Sequence, residues 1–160
     1  MASFEVERKF LVSELPPDLD SCPASEIVQG YLAIEPDGTE VRVRRRGGEP
    51  VLTVKRGRGR TRREEEVELV EAQFEHLWPL TEGRRIEKTR YEVRYDGDLV
   101  IELDVYHGAL AGLITAEIEF RDERAAEGFA PPAWLGPEVT DDPVYKNQHL
   151  AVHGRPPVGR

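Results

Sequence analysis

The chain has 160 residues, with 22 Lys and Arg against 31 Asp and Glu and a formal net charge of −9. That length suits one domain with its own core, and the acidic balance weighs against broad binding to nucleic acid or anionic membranes while leaving room for a local cationic site. Cys22 is the only cysteine, which excludes an internal disulfide, and neither a membrane-length apolar run nor a secretory leader pattern is present, so the cytoplasm is the expected compartment.

Residues 4–10 alternate with a period of two: Glu5, Glu7 and Lys9 face one way, and Phe4, Val6, Arg8 and Phe10 the other. Residues 13–26, with Pro16, Pro17 and Pro23, read as a loop holding one helical turn. A weaker strand over 27–34 sets Gln29 and Tyr31 against Val28, Gly30 and Leu32. Residues 41–46 set Arg42, Arg44 and Arg46 against Val41 and Val43. Residues 51–55 set Thr53 and Lys55 against Leu52 and Val54. Gly47-Gly48 and Gly57-Arg58-Gly59 mark hairpin turns. Residues 64–69 carry Glu64, Glu66 and Glu68 on one face, and residues 71–80 form a short amphipathic helix around Phe74, Leu77, Trp78 and Leu80. Lys88, Arg90, Glu92 and Arg94 alternate with Thr89, Tyr91, Val93 and Tyr95. Glu102, Asp104 and Tyr106 alternate with Ile101, Leu103 and Val105, and Thr115, Glu117 and Glu119 with Ala116, Ile118 and Phe120. Further short helices are expected over 122–129 and 143–152, the latter entered after Asp141-Asp142-Pro143. A single domain over 1–153 and a disordered tail over 154–160 complete the layout.

Eight alternating segments joined by short turns, with a charged face and an apolar face, predict a mainly β (α+β) fold: an eight-stranded antiparallel closed β-barrel. The short helices need apolar surface to pack on, so the apolar face is expected outside and the charged face around the lumen. Charge alternation on one strand is ordinarily a solvated face. Here cations gather on some strands and anions on others. Exposed ion pairs contribute only about 0–1 kcal/mol, so a solvated face gains little from that segregation. A lumen holding both a polyanion and a cation needs both signs.

Glu5-Val6-Glu7-Arg8-Lys9 resembles the Glu-x-Glu-x-Lys signature of the CYTH domain, or triphosphate tunnel metalloenzyme family. The likeness continues in order through Gln29-Gly30-Tyr31-Leu32, Arg42-Val43-Arg44, Thr53-Val54-Lys55, Arg63-Glu64-Glu65-Glu66, Glu87-Lys88-Thr89-Arg90, Glu102-Leu103-Asp104 and Ala116-Glu117-Ile118-Glu119 to a closing segment around Tyr145-Lys146-Asn147. The resemblance implies a tunnel that binds a triphosphate-containing small molecule and a divalent metal. It implies Mg²⁺ or Mn²⁺ at Glu5, Glu7, Asp104, Glu117 and Glu119, with Glu66 a further ligand, a set of hard oxygen donors suited to either ion.

Lys9, Arg42, Arg44, Lys55, Lys88 and Arg90 have the chemistry to surround a triphosphate, arginine through forked donors and lysine as a point charge. Their other role is to pair with the carboxylates. The resemblance also implies a Lys9–Tyr31 pair that orients or activates water; for Tyr31 a plain packing role stands beside it. Lys146 can reach the tunnel mouth. The basic hairpin at 56–63 lacks the aromatics of a single-strand binder and reads as a solvated turn. Hydrolysis of inorganic triphosphate to phosphate and pyrophosphate is the expected activity. Adenylyl cyclase or thiamine triphosphatase chemistry, and a non-catalytic polyphosphate-binding module, are the alternatives.

Overall fold

The computed structural model describes residues 6–57 and 63–157. Glu5 and the tip of the basic hairpin lie outside the described residues, as does the end of the tail. The strands are β1 (Val6–Val12), β2 (Ala24–Ile34), β3 (Glu40–Arg46), β4 (Glu49–Arg56), β5 (Arg63–Glu68), β6 (Arg85–Tyr95), β7 (Leu99–Tyr106), β8 (Ile114–Phe120) and β9 (Leu135–Glu138). The helices are α1 (Glu71–Leu77), α2 (Glu123–Glu127) and α3 (Asn147–His153). Short 3-10 turns at Leu19–Ser21, Trp78–Thr81, Gly108–Leu110 and Pro143–Tyr145 join them. None of the described helices is long and apolar enough to cross a membrane.

The strands form one antiparallel sheet in the order β5-β4-β3-β2-β6-β7-β8-β1-β9. The expected closed eight-stranded barrel is therefore not formed. Closure would need β5 to pair with the free edge of β1, but β9 occupies that edge, with Phe10 opposite Glu138 and Val12 opposite Leu135. Pro137 in β9 has no N–H to offer a further strand, which suits a terminal position in a sheet. At the other end all six residues of β5 are exposed.

The turns follow their residues. Arg46 faces Glu49 across the two-residue loop Gly47-Gly48, whose φ angles of 56° and 84° are the left-handed values a tight hairpin requires. Gly30 serves a different need. A Cβ there would lie 2.5 Å from the Thr81 side chain, so its absence lets the Trp78–Thr81 turn press onto β2.

The two faces separate as the alternation predicts. Phe10, Val12, Ile101, Leu103, Ala116, Ile118 and Phe120 build an apolar core on one face, with Ala126 of α2 and Leu135 packed onto it. The opposite face is charged except at one end. There α3 and the preceding turn bring Tyr145, Leu150 and Ala151 against Tyr31, Ile86, Tyr106, Leu110 and Leu113. This second cluster anchors the C-terminal segment across the charged face. The expected helix over 143–152 is broken into the Pro143–Tyr145 turn and α3, with Lys146 extended between them.

Candidate active site

Strand register orders the charged face. The partners Tyr31–Arg42, Arg42–Thr53 and Lys55–Glu64 run across β2 to β5. Arg90–Asp104, Glu102–Glu117, Lys9–Glu117 and Glu7–Glu119 run across β6 to β1. Most of the cations thus sit on the middle strands β3, β4 and β6. Carboxylates flank them on β5 at one side and on β7, β8 and β1 at the other. The sheet curls around this face, so Glu7 and Glu66, far apart in strand order, line one cleft of about 420 Å³.

Lys9, Tyr31, Arg42, Arg44, Lys55, Glu66, Lys88, Arg90, Glu117 and Glu119 line the same cleft. Leu32 is bulged out of the β2–β3 pairing between Tyr31 and Ala33. Bulges re-aim neighbouring side chains beside functional sites. The Tyr31 hydroxyl accepts a hydrogen bond from Gln29 Nε2 at 2.8 Å. Burial pushes its pKa up to about 12, against the opposing pull of Arg42. The buried Nε of Arg42 has no hydrogen-bond partner among the described residues. Burial, together with the neighbouring Arg42 and Arg90 charges, lowers the Arg44 pKa.

Asp104 is placed differently from the other predicted carboxylates. It has no exposed surface and lies beneath the cleft rather than in its wall. Its Oδ2 accepts from Lys88 Nζ at 2.8 Å and from Arg90 Nη2 at 2.9 Å, and its Oδ1 accepts from Arg90 Nε at 2.8 Å. Arg90 also reaches Glu102 at 3.1 Å. Burial opposes the Asp104 charge, yet Lys88 and Arg90 outweigh it and hold the carboxyl below its ordinary range. For Lys88 the balance is reversed: burial brings its pKa down to about 8 against the attraction of Asp104.

Lys9 links the acidic flank to the C-terminal segment. Its ammonium donates to the Tyr145 carbonyl at 2.5 Å and lies 3.4 Å from Glu117. Its backbone N–H donates to Thr140 Oγ1, and its carbonyl accepts from Val139 N–H. Lys9 and Tyr31 share the cleft without a hydrogen bond between them among the described residues.

Beside Lys9 the carboxylates crowd. A hydrogen bond shared with Glu117, burial, and the charges of Glu117 and Glu119 raise the Glu7 pKa far above the usual carboxylate range. Burial disfavours the Glu117 charge too, but the Glu7 hydrogen bond and the cations Lys9, Lys88 and Arg90 pull it down. The two carboxyls resist ionising together, as like charges at close range do, so a proton held by one relieves the other. Such a donor set fits a hard divalent cation, which would replace that proton. Among the described residues no three Asp, Glu, His or Cys side chains already converge as a metal cage.

Several lining residues escaped sequence reasoning. Glu40 is buried in the cleft on the same face as Arg42 and Arg44, so its i, i+2 spacing was the available signal. Thr140, Asn147 and Gln148 come from segments without strand periodicity, where only the likeness of the closing segment gave a signal.

A curated inorganic triphosphatase of Nitrosomonas europaea is 46% identical over 149 residues, spanning 92% of this chain and 97% of that protein. The chain belongs to the inorganic triphosphatase family. A second inorganic triphosphatase, from Acetivibrio thermocellus, is 40% identical across 91% of this chain and 92% of its own length. The crystal structure of the inorganic triphosphatase NE1496 superimposes with a TM-score of 0.75 at 44% identity, covering 92% of this chain and 94% of that one. No protein-family model matches the chain. Membership of the inorganic triphosphatase family thus rests on whole-length likeness, and the cleft lies within the shared fold.

Proposed function

We propose that the protein hydrolyses inorganic triphosphate to phosphate and pyrophosphate with the help of a divalent metal, Mg²⁺ or Mn²⁺. The observation that carries this reading is the cationic floor of Arg42, Arg44, Lys55, Lys88 and Arg90 held between two carboxylate flanks in one cleft. The whole-length identity to inorganic triphosphatases supports it, and kinship to the CYTH fold through the Glu5-x-Glu7-x-Lys9 signature is part of the same reading.

Phosphoryl transfer asks a protein mainly for positioning and charge neutralisation. A triphosphate carries roughly four to five negative charges near neutral pH. In this reading Arg42 and Arg44 bind its oxygens through their forked donors, and the unpartnered Arg42 Nε is one donor the substrate satisfies. Lys55, Lys88 and Arg90 complete the neutralisation. Asp104 fixes Lys88 and Arg90 so that neither must reorganise as charge shifts on the substrate.

Glu7, Glu117 and Glu119 would hold the metal, with Glu5 and Glu66 as further ligands from the sequence signature and the facing flank. Asp104, the remaining ligand in this reading, would act from beneath the cleft, its oxygens shared with Lys88 and Arg90. Bound there, a divalent cation neutralises phosphate oxygens and acidifies water. Lys9, fixed by the Tyr145 carbonyl and Glu117, holds its positive charge beside the acidic flank, and Tyr31 presents a protonated hydroxyl that orients water or a phosphate oxygen.

The test is product analysis after incubation with triphosphate, ATP and thiamine triphosphate under Mg²⁺ or Mn²⁺, with and without excess chelator. Phosphate and pyrophosphate should appear from triphosphate and vanish with chelator. Full activity in chelator would remove the metal from the reading. Cyclic AMP and pyrophosphate from ATP with triphosphate untouched would replace the reading with a cyclase. Glu117→Gln keeps the side chain's volume and removes its charge. It should abolish or severely reduce turnover and weaken metal binding, while stability without metal stays level or rises. Unchanged metal affinity with a lower Tm would make Glu117 a scaffold residue.

A further inference from the structure

A second cavity, of about 480 Å³, lies behind α3. Among the described residues its ionisable lining groups are Arg84, Lys146, His149 and His153, with no carboxylate, although the chain as a whole carries a net charge of −9. Ile34, Pro143 and Val152 form its apolar wall. Unlike Lys88 and Arg90, which are tied to Asp104, the Arg84 and Lys146 side chains have no ion-pair partner among the described residues. His149 and His153 stand one helical turn apart with ring centroids 4.3 Å from each other. The Nδ1 atom of His149 is buried without a hydrogen-bond partner among the described residues. Lys146 and Gln148 line this cavity and the catalytic cleft alike, so the two spaces are neighbours across the start of α3.

We propose that this cavity is a second phosphoryl-oxyanion site, taking free phosphate or pyrophosphate beside the cleft in which triphosphate is cleaved. The proposal rests on the triphosphatase reading for the source of the anion. A guanidinium fork, an ammonium and two imidazoles supply donors without a competing carboxylate, which is the donor set that phosphoryl oxygens match. Two imidazoles at this separation repel when both are protonated, and an anion between Arg84, Lys146 and the ring pair removes that repulsion. The neighbouring position gives product leaving the cleft a short transfer to a site that binds it.

Imidazole NMR tests this directly, because the chain has only four histidines. His76 on α1 and His107, bound to Thr89, line neither space and serve as internal references. Pyrophosphate and phosphate, each titrated without metal and against sodium chloride at matched ionic strength, should raise the protonation midpoints of His149 and His153 and leave the other two unmoved. Arg84→Gln should weaken the response about tenfold or more, with spectral dispersion confirming that the variant is folded. The response should persist in Arg42→Ala/Arg44→Ala, whose cleft binding is impaired.

No selective shift at His149 and His153, an equal shift from chloride, or loss of the response in the double-arginine variant would overturn the proposal. Triphosphate turnover is assayed separately on the same wild-type sample. Turnover without a histidine response defeats only the second site. A response without turnover defeats only the triphosphatase reading.

Discussion

Asp104→Asn leaves Lys88 and Arg90 sharing one negative charge fewer in a buried position. Breaking a buried pair from one side costs about 3–5 kcal/mol, so the urea midpoint at pH 7 should fall by a corresponding amount. The Asp104 pKa lies below its unfolded value. Its stabilisation is therefore fully present above about pH 3.9 and is lost as pH falls through the lower folded value. Wild type and variant should converge in strong acid, and equal midpoints at pH 7 would show that the buried pair adds nothing.

Lys88 works in the opposite sense. With its folded pKa near 8 against 10.5 unfolded, the unfolded chain holds more protons between those values. This group's contribution to stability therefore rises with pH across that window. Substrate capture moves the other way, because the cleft floor loses a positive charge. The logarithm of kcat/KM for triphosphate should bend downward near pH 8, the free-enzyme pKa that this ratio reports. A profile level to about pH 10, the ordinary lysine range, would remove Lys88 from binding. Arg42→Ala removes a charged hydrogen bond worth about 1.5–3 kcal/mol. Its KM should rise with Tm little changed, and wild-type kinetics would mean that Arg42 contacts no phosphate.

Among the elements, α3 and the turn before it decide whether the cleft has a closed end. Leu150 packs with Tyr31, Ile86 and Tyr106. Leu150→Ala should cost about 2–5 kcal/mol and should also raise KM, since the same segment carries the Tyr145 carbonyl that holds Lys9. A loss of Tm with unaltered kinetics would confine the helix to a packing role.

The eight alternating strands were legible because one face is apolar and the other charged, and that alternation also aimed Arg42, Arg44, Lys55, Glu117 and Glu119 at a common space. The β9 strand was not legible. Its four residues include Gly136 and Pro137, which read as a loop, and only pairing with β1 makes them a strand. Without β9, eight strands invite closure, because nothing in a strand's own sequence states which edge it will meet. Asp104 was legible as a charge but not as a buried one, for burial depends on Lys88 and Arg90 meeting it across the β6–β7 ladder.

At the scale of the whole molecule the sheet keeps two ends, and they are unequal. β7 lies between β6 and β8, whereas β5 is bonded on one side only and exposed at every residue. Without ligand, amide hydrogen exchange should be fastest in β5 among the strands that line the cleft and slowest in β7 and β8. Because Glu64 and Glu66 of β5 form one wall of the cleft, triphosphate with a non-reactive divalent ion should slow exchange there. Exchange in β5 that ignores a filled cleft would mean that this wall does not engage ligand.

The position of β1 between β8 and β9 has a consequence for how the enzyme is made. β1 finds both neighbours only in the last third of the sequence, with Lys9 held by the carbonyl of Tyr145. Before β8 is made, Phe10 and Val12 lack Ala116, Ile118 and Phe120 as packing partners, and Glu7 and Lys9 have no opposing strand. Contacts this distant along the chain raise the contact order, and folding slows as contact order rises. A chain that stops short of β8 therefore lacks Glu117 and Glu119, and also the strand that Glu7 and Lys9 face.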